Sequence, residues 1–218
     1  MDTFGNKMIG IYGGSFDPIH FGHLRTALEI KEAFSLDELR LIPCYQSPLK
    51  NSTQATPEQR LAMLQLAIEG EKSFICDNRE LKRAGRSFMV ETLASLRADF
   101  PEKTLILFMG SDAFAAIEQW HQWQKLFEFA HIVVMTRPNC EKIPLSDFLN
   151  PRLSVEKADL TREKNGKLFF QPVTQLAISA TQIRNLLAQK RSIRFLLPDN
   201  VINYINRYAL YRIKTPQE

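Results

Sequence analysis

Apolar residues fall in short runs along the chain, and most runs close on a turn residue. MIGIYG (8–13) is one of these, ending on glycine, and it reads as a strand. Residues 21–34 then set Leu24, Ala27, Leu28 and Phe34 near one face at helical spacing, so the first unit is strand, turn, helix. ELRLIP (38–43) predicts a second strand, closed by Pro43 and followed by the polar CYQSPLKNSTQA. Next, a helix start is signalled by Thr56 as N-cap, Pro57 at the first position and Gln59 at the capping-box position. Leu61, Leu64, Ala67 and Ile68 carry that helix towards Gly70. SFICDN (73–78) predicts a third strand, and Ser87 opens a helix bearing Met89, Leu93 and Leu96 towards Phe100. TLILFMG (104–110) and HIVVMT (131–136) are apolar almost throughout, as strands buried on both faces of a parallel sheet are. Strands alternating with helical stretches of about a dozen residues predict a doubly wound, Rossmann-like α/β fold with a parallel sheet.

Residues 138–166 break this rhythm with prolines and many charges and read as an excursion from the sheet. The alternation resumes with a strand at 167–171, then helices near 180–190 and 199–209. The expected organisation is a single domain over 1–218, with about 178–218 as a small helical C-terminal part. A content of 44% hydrophobic and 24% charged residues marks an ordered globular chain and excludes a disordered one. The formal charge of +4 comes from basic residues interspersed with acids, so small anionic ligands account for it and no nucleic-acid partner is expected. No apolar run approaches the roughly 18 residues of a membrane span, and MDTFGNK carries no signal-peptide stretch, so a cytoplasmic protein with no membrane partner is expected. Cys44, Cys76 and Cys140 lie far apart with no CxxC, which suggests neither a disulfide framework nor a thiolate metal site.

In open α/β sheets, ligands bind beyond the carboxyl ends of the strands. Three unusual sequences sit there: GGSFDPIHFGH after the first strand, GSD (110–112) after the fourth and TRPN (136–139) after the fifth. Turns at strand ends also need Gly and Pro, so their shared position at one sheet edge is the stronger signal. Gly13 and Gly14 permit the close backbone approach of a phosphate-cradling turn. No GxGxxG follows the first strand and no GxxxxGK[ST] occurs, which argues against a dehydrogenase or a P-loop. His20 stands at the start of the following helix and His23 one turn inside it, on neighbouring surface. The pair reads as a cap or core histidines, as metal ligands, or as contacts to an anion at the helix start. No Cys or acidic residue at metal spacing accompanies it. In ISATQIRNLL (178–187), Ser179 and Gln182 fit a capping box and Thr181 and Arg184 fall one turn apart on one side. That combination is either a phosphate receptor or a plain capped helix with a solvated Arg.

With these residues assembled, the chain resembles the nucleotidylyltransferase superfamily, whose signatures are a GG[ST]FDPxHxGH turn and an ISxTxIR helix start. Here they stand as GGSFDPIHFGH (13–23) and ISATQIR (178–184). RSFMVETL (86–93), GSDAFAAIEQW (110–120) and VVMTRP (133–138) resemble further blocks of the bacterial nicotinate-nucleotide adenylyltransferases, so that the similarity spans nearly the whole chain. The resemblance implies attack by the phosphate of nicotinate mononucleotide on the α-phosphorus of ATP, with Mg²⁺ held mainly by the ATP phosphates. It implies catalytic roles for His20, His23, Lys50 and Arg184, and ATP contacts at Gly13, Gly14, Ser15, Phe16, Gly110, Asp112, Ser179 and Thr181. On the acceptor side it implies Phe88, Met89, Trp120 and Arg137, with Trp123 a rival for the stacking role. Two alternatives stand beside it: the same chemistry on nicotinamide mononucleotide or phosphopantetheine, and a nucleotide-binding module without turnover.

Overall fold

The structure, a computed structural model, describes residues 8–48, 53–137 and 143–212. Six strands build one sheet: β1 (Met8–Gly14), β2 (Glu38–Pro43), β3 (Phe74–Cys76), β4 (Thr104–Gly110), β5 (His131–Thr136) and β6 (Leu168–Pro172). Nine α-helices occur among the described residues. The first four are α1 (Phe21–Ala33), α2 (Pro57–Ala67), α3 (Arg79–Arg83) and α4 (Met89–Asp99), and three short ones follow: α5 (Ser111–Ala115), α6 (Leu126–Phe129) and α7 (Asp159–Arg162). Two close the chain, α8 (Ala180–Ala188) and α9 (Asp199–Arg207). The strand order is β3-β2-β1-β4-β5-β6 and every pairing is parallel. The chain therefore winds outward from β1 in one direction, returns, and winds outward from β4 in the other.

Alternation along the strands divides the core between the two sheet faces. Ile9, Ile11, Leu105, Leu107, Ile132 and Val134 pack on one side with Val90, Leu93 and Leu96 of α4. Ile106, Phe108, Val133 and Met135 face the other, with Ala27 and Ile30 of α1, Met63 and Leu64 of α2, and Val201 and Ile205 of α9. Between their end residues β4 and β5 carry no polar side chain, as suits strands covered on both faces. Helix α9 packs against α2, and Asn200 Nδ2 donates to Leu66 O at 2.7 Å, so the C-terminal helices share the core that α1 and α2 cover.

Helix α2 starts as its sequence signals. Thr56 Oγ1 accepts from Gln59 N, and the Gln59 side chain accepts from Thr56 N. Two other helix starts differ from expectation. The helix assigned to Ser87 begins at Met89 with Phe88 as N-cap, because Ser87 Oγ accepts from Tyr45 N at 2.9 Å and is committed to the loop after β2. At α8 only half of the capping box forms: Ser179 Oγ accepts from Gln182 N at 3.1 Å, with no return bond from Gln182. Between β5 and β6, the described residues 143–167 hold one 3-10 turn (Asn150–Arg152) and the short α7, consistent with an excursion.

Candidate active site

The turn after β1 is organised by rings. Phe16 adopts φ 47° and its ring is buried, meeting Tyr12 edge-on at 6.0 Å and His23 edge-on at 5.2 Å. His23 in turn stacks on His20, with centroids 3.7 Å apart and planes inclined by 30°. The Phe16 side chain thus braces the histidine pair, and only its backbone remains for a ligand. His20 holds the N-cap position of α1, yet its side chain makes no capping bond. Its ring is buried, and Nδ1 has no hydrogen-bond partner among the described residues. An unsatisfied buried nitrogen is costly, about 1–3 kcal/mol, which a plain core or capping histidine would not carry. Burial pushes the His20 pKa down to about 4. At neutral pH the imidazole is therefore uncharged and offers one N–H donor.

Gly22 makes the spacing of the pair possible. A Cβ there would lie 2.9 Å from His20 Nδ1 and 3.2 Å from Ile178 O, so the turn, the ring and the approach to α8 all depend on its absence. Positive charge is supplied by Arg184. Its Nη1 donates to Asp17 O at 2.7 Å and its Nη2 to Thr181 Oγ1 at 3.2 Å, fixing the guanidinium between the β1 turn and the start of α8. Asp17, whose bond to Pro18 is cis, also accepts from Gln54 N at 2.9 Å and Ala55 N at 3.1 Å, tying the turn to the loop before α2. From α2 the fully buried Arg60 reaches back, donating to Ser15 O at 2.8 Å and Tyr45 O at 3.0 Å.

These elements border a crevice of about 780 Å³ at the carboxyl ends of β1 and β4, where the sheet's winding reverses. Of the residues singled out in the sequence, Ser15, His20, His23, Gly110, Asp112, Ser179, Thr181 and Arg184 line it. Gly13 lies beneath Met89, whose Cε would stand 2.7 Å from a Cβ at that position. Gly14 packs against the Phe16 ring in the same way. Phe88 sets its ring 4.6 Å from that of His121, and Trp120 Nε1 is buried without a partner among the described residues. Trp123 is engaged edge-on by Phe148 at 4.9 Å. Phe88, Met89 and Trp120 therefore sit beside the crevice, on the α4 side of β1, and do not line it. Arg137 is exposed and donates from Nε to Gln175 Oε1 at 3.0 Å, and Gln175 lines the crevice. Lys50 lies outside the described residues.

Several crevice residues escape sequence reasoning. Tyr12, Asp17, Thr26, Tyr45 and Gln175 line it, and only Tyr12 and Asp17 carried a signal, as neighbours of the diglycine turn. Among the described residues no three His, Cys, Asp or Glu side chains gather to hold a metal ion. The donors present, imidazole, hydroxyl and guanidinium, suit phosphate oxygens. No helix among the described residues is long and apolar enough to cross a membrane.

The cytidylyltransferase-like family model matches residues 11–186. A Methylococcus capsulatus protein named "Probable nicotinate-nucleotide adenylyltransferase" is 45% identical over 208 residues, covering 94% of this chain and 99% of its own. A Pseudomonas aeruginosa protein of the same name is 44% identical over 210 residues, covering 94% of this chain and 98% of its own. Among solved structures, the Plasmodium falciparum nicotinic acid mononucleotide adenylyltransferase complexed with NaAD superposes with a TM-score of 0.71 at 21% identity. That match covers 94% of this chain and 97% of the other, and it establishes the likeness of fold.

Proposed function

Because the chain belongs to the cytidylyltransferase-like family and, within it, to the nicotinate-nucleotide adenylyltransferases, we propose that its crevice joins the AMP moiety of ATP to nicotinate mononucleotide. A phosphate oxygen of the mononucleotide attacks the α-phosphorus, a new P–O bond forms as the α–β bridging P–O bond breaks, and pyrophosphate leaves with the bond's electron pair. The products are nicotinate adenine dinucleotide, a precursor in NAD biosynthesis, and pyrophosphate. The acceptor is already ionised near neutral pH, so the site needs position and charge and no general base.

The residue roles follow from that requirement. His20, as a neutral donor, and His23 are assigned to the phosphates of ATP, and Arg184 to the charge that builds on the leaving pyrophosphate. Lys50 is assigned the same task from the resemblance alone. Ser15 and the backbone of Gly13, Gly14 and Phe16 cradle nucleotide, while Ser179 and Thr181 present the start of α8 to phosphate. Gly110 and Asp112 are assigned to adenosine, where a carboxylate accepts from hydroxyl or amino groups. The acceptor's ring is assigned to Phe88, Met89 and Trp120. Trp120 is favoured over Trp123 because Phe148 already occupies the edge of the latter. Arg137 reaches the crevice through Gln175 and joins the acceptor side as a charge near its phosphate. Mg²⁺ would be held by the ATP phosphates, supplying charge neutralisation there. A reaction fed by ATP also suits the cytoplasmic location expected from the sequence.

One observation carries the reading. The stacked histidine pair, with a buried Nδ1 on His20 that has no partner among the described residues, opens a helix beside a guanidinium that two hydrogen bonds hold in place. His20→Ala is expected to lower the rate of pyrophosphate release from ATP, Mg²⁺ and nicotinate mononucleotide about 100-fold, as loss of one transition-state donor does. An unchanged rate in a folded variant removes His20 from the mechanism.

A further inference from the structure

The last described turn of the chain returns to the crevice. Tyr211 lies beyond α9, buried at 8% exposure, and its hydroxyl donates to Asp17 Oδ1 at 2.7 Å. Ala209 and Tyr211 hold φ of 48° and 63°, a left-handed backbone that costs about 1 kcal/mol or more at each non-glycine residue. Ala209 closes α9 in the left-handed conformation common just past a helix end, with Leu210 N donating to Ile205 O at 3.0 Å, and Tyr211 lies two residues further on, where its phenol meets Asp17.

Asp17 is the junction through which this contact acts. Its carboxylate accepts three donors, Tyr211 Oη and the N–H groups of Gln54 and Ala55, while its carbonyl oxygen accepts from Arg184 Nη1. Oδ1 is shared by Tyr211 and Ala55. Loss of the phenol leaves the carboxylate of the buried Asp17 with two backbone donors among the described residues and loosens its hold on the turn. With its side chain held less firmly, the Asp17 peptide shifts with the turn, and with it the carbonyl that aims the guanidinium.

We propose that Tyr211 is a positioning residue for the ATP-phosphate end of the crevice, acting through Asp17 on Arg184. It touches no substrate itself. The inference rests on the assignment of Arg184 to the phosphates of ATP, and it places the C-terminal segment among the parts that set the site's geometry. The burial of the phenol also pushes its pKa up, so the hydroxyl remains a donor across the working pH range.

The test is titration calorimetry with Mg·ATP and no acceptor, on the wild-type chain, Tyr211→Phe, Leu210→Ala, Arg184→Gln and the double variant Tyr211→Phe/Arg184→Gln. Tyr211→Phe keeps the ring and its packing, and is expected to weaken Mg·ATP binding about tenfold, because misplacing a guiding group by a fraction of an ångström has effects of that order. In the Arg184→Gln background the same change is expected to cost less than about twofold, since the group it guides is gone. Leu210→Ala, which loosens the segment's packing, is expected to lower the melting temperature while affinity stays within about twofold. Unchanged affinity in Tyr211→Phe, an equal loss in both backgrounds, or an equal loss in Leu210→Ala overturns the proposal. Pyrophosphate release with nicotinate mononucleotide, run on the wild-type chain alongside, separates the two questions. Its absence defeats the adenylyl-transfer reading, and the Mg·ATP titrations still decide the part played by Tyr211.

Discussion

At the scale of single residues, the site is governed by what burial does to an imidazole. His20 and His131 are both buried, and desolvation lowers the pKa of each, that of His20 to about 4. His131 is satisfied, its ring bonding Glu163 O and Lys167 N, whereas His20 keeps a nitrogen with no partner among the described residues. From about pH 6.5 down to about 4, the unfolded chain binds protons that the folded chain refuses, so stability is full above pH 6.5 and falls as pH drops through that window. His20 alone is expected to remove about 2 kcal/mol between pH 7.5 and 5. Urea unfolding at the two pH values measures this, and a His20→Gln variant with the same pH slope as the parent contradicts it. Gly22 offers a second test at this scale. In Gly22→Ala the added methyl must displace the His20 ring or the Ile178 carbonyl, and a loss of about 100-fold in kcat with the fold retained is expected by circular dichroism and turnover assay. The closeness required at Gly22 is legible in HFGH. That Phe16 turns its ring inward to brace His23 is not, because a phenylalanine in a turn has no periodic context to assign its direction.

At the scale of elements, the sequence carries most of the secondary structure. The predicted spans 38–43, 104–110 and 131–136 coincide with β2, β4 and β5, since each is an apolar run cut off by a turn residue or a change of charge. Helix starts are legible only where the capping side chain has no other partner. Thr56 is free to cap α2, and Thr56→Ala is expected to cost about 1 kcal/mol of stability, read as a lowered midpoint in thermal or urea unfolding. No change in midpoint would mean that tertiary packing alone sets that helix start. Ser87 has the residue type of a cap, but Tyr45 N, 42 residues away in sequence, claims its oxygen. A local pattern cannot register a contact of that separation. Arg60 is the same lesson in a helix: it occupies a buried position of α2 because two carbonyls from the turn and the β2 loop await it there.

At the scale of the whole molecule, the parallel order β3-β2-β1-β4-β5-β6 brings the diglycine turn, GSD and the start of α8 to one edge. Alternation of strands and helices predicts a parallel sheet without giving its order, so the position of the crevice followed from fold class and its exact borders did not. Tyr12 and Gln175 belong to those borders, and their place depends on which strands are neighbours. Phe88, Met89 and Trp120, proposed for the acceptor's ring, pack on the α4 side of the sheet, opposite the side on which Ile183 of α8 packs. Both sides of the site serve one reaction, transfer of AMP from ATP to the acceptor's phosphate, on the function proposed above. A side-by-side comparison of kcat/KM for pyrophosphate release, with Mg·ATP and nicotinate mononucleotide, nicotinamide mononucleotide or phosphopantetheine as acceptor, tests it most directly. Release that depends on acceptor, with nicotinate mononucleotide the preferred one, is the predicted result; no release above the ATP-only background with any of the three would contradict it.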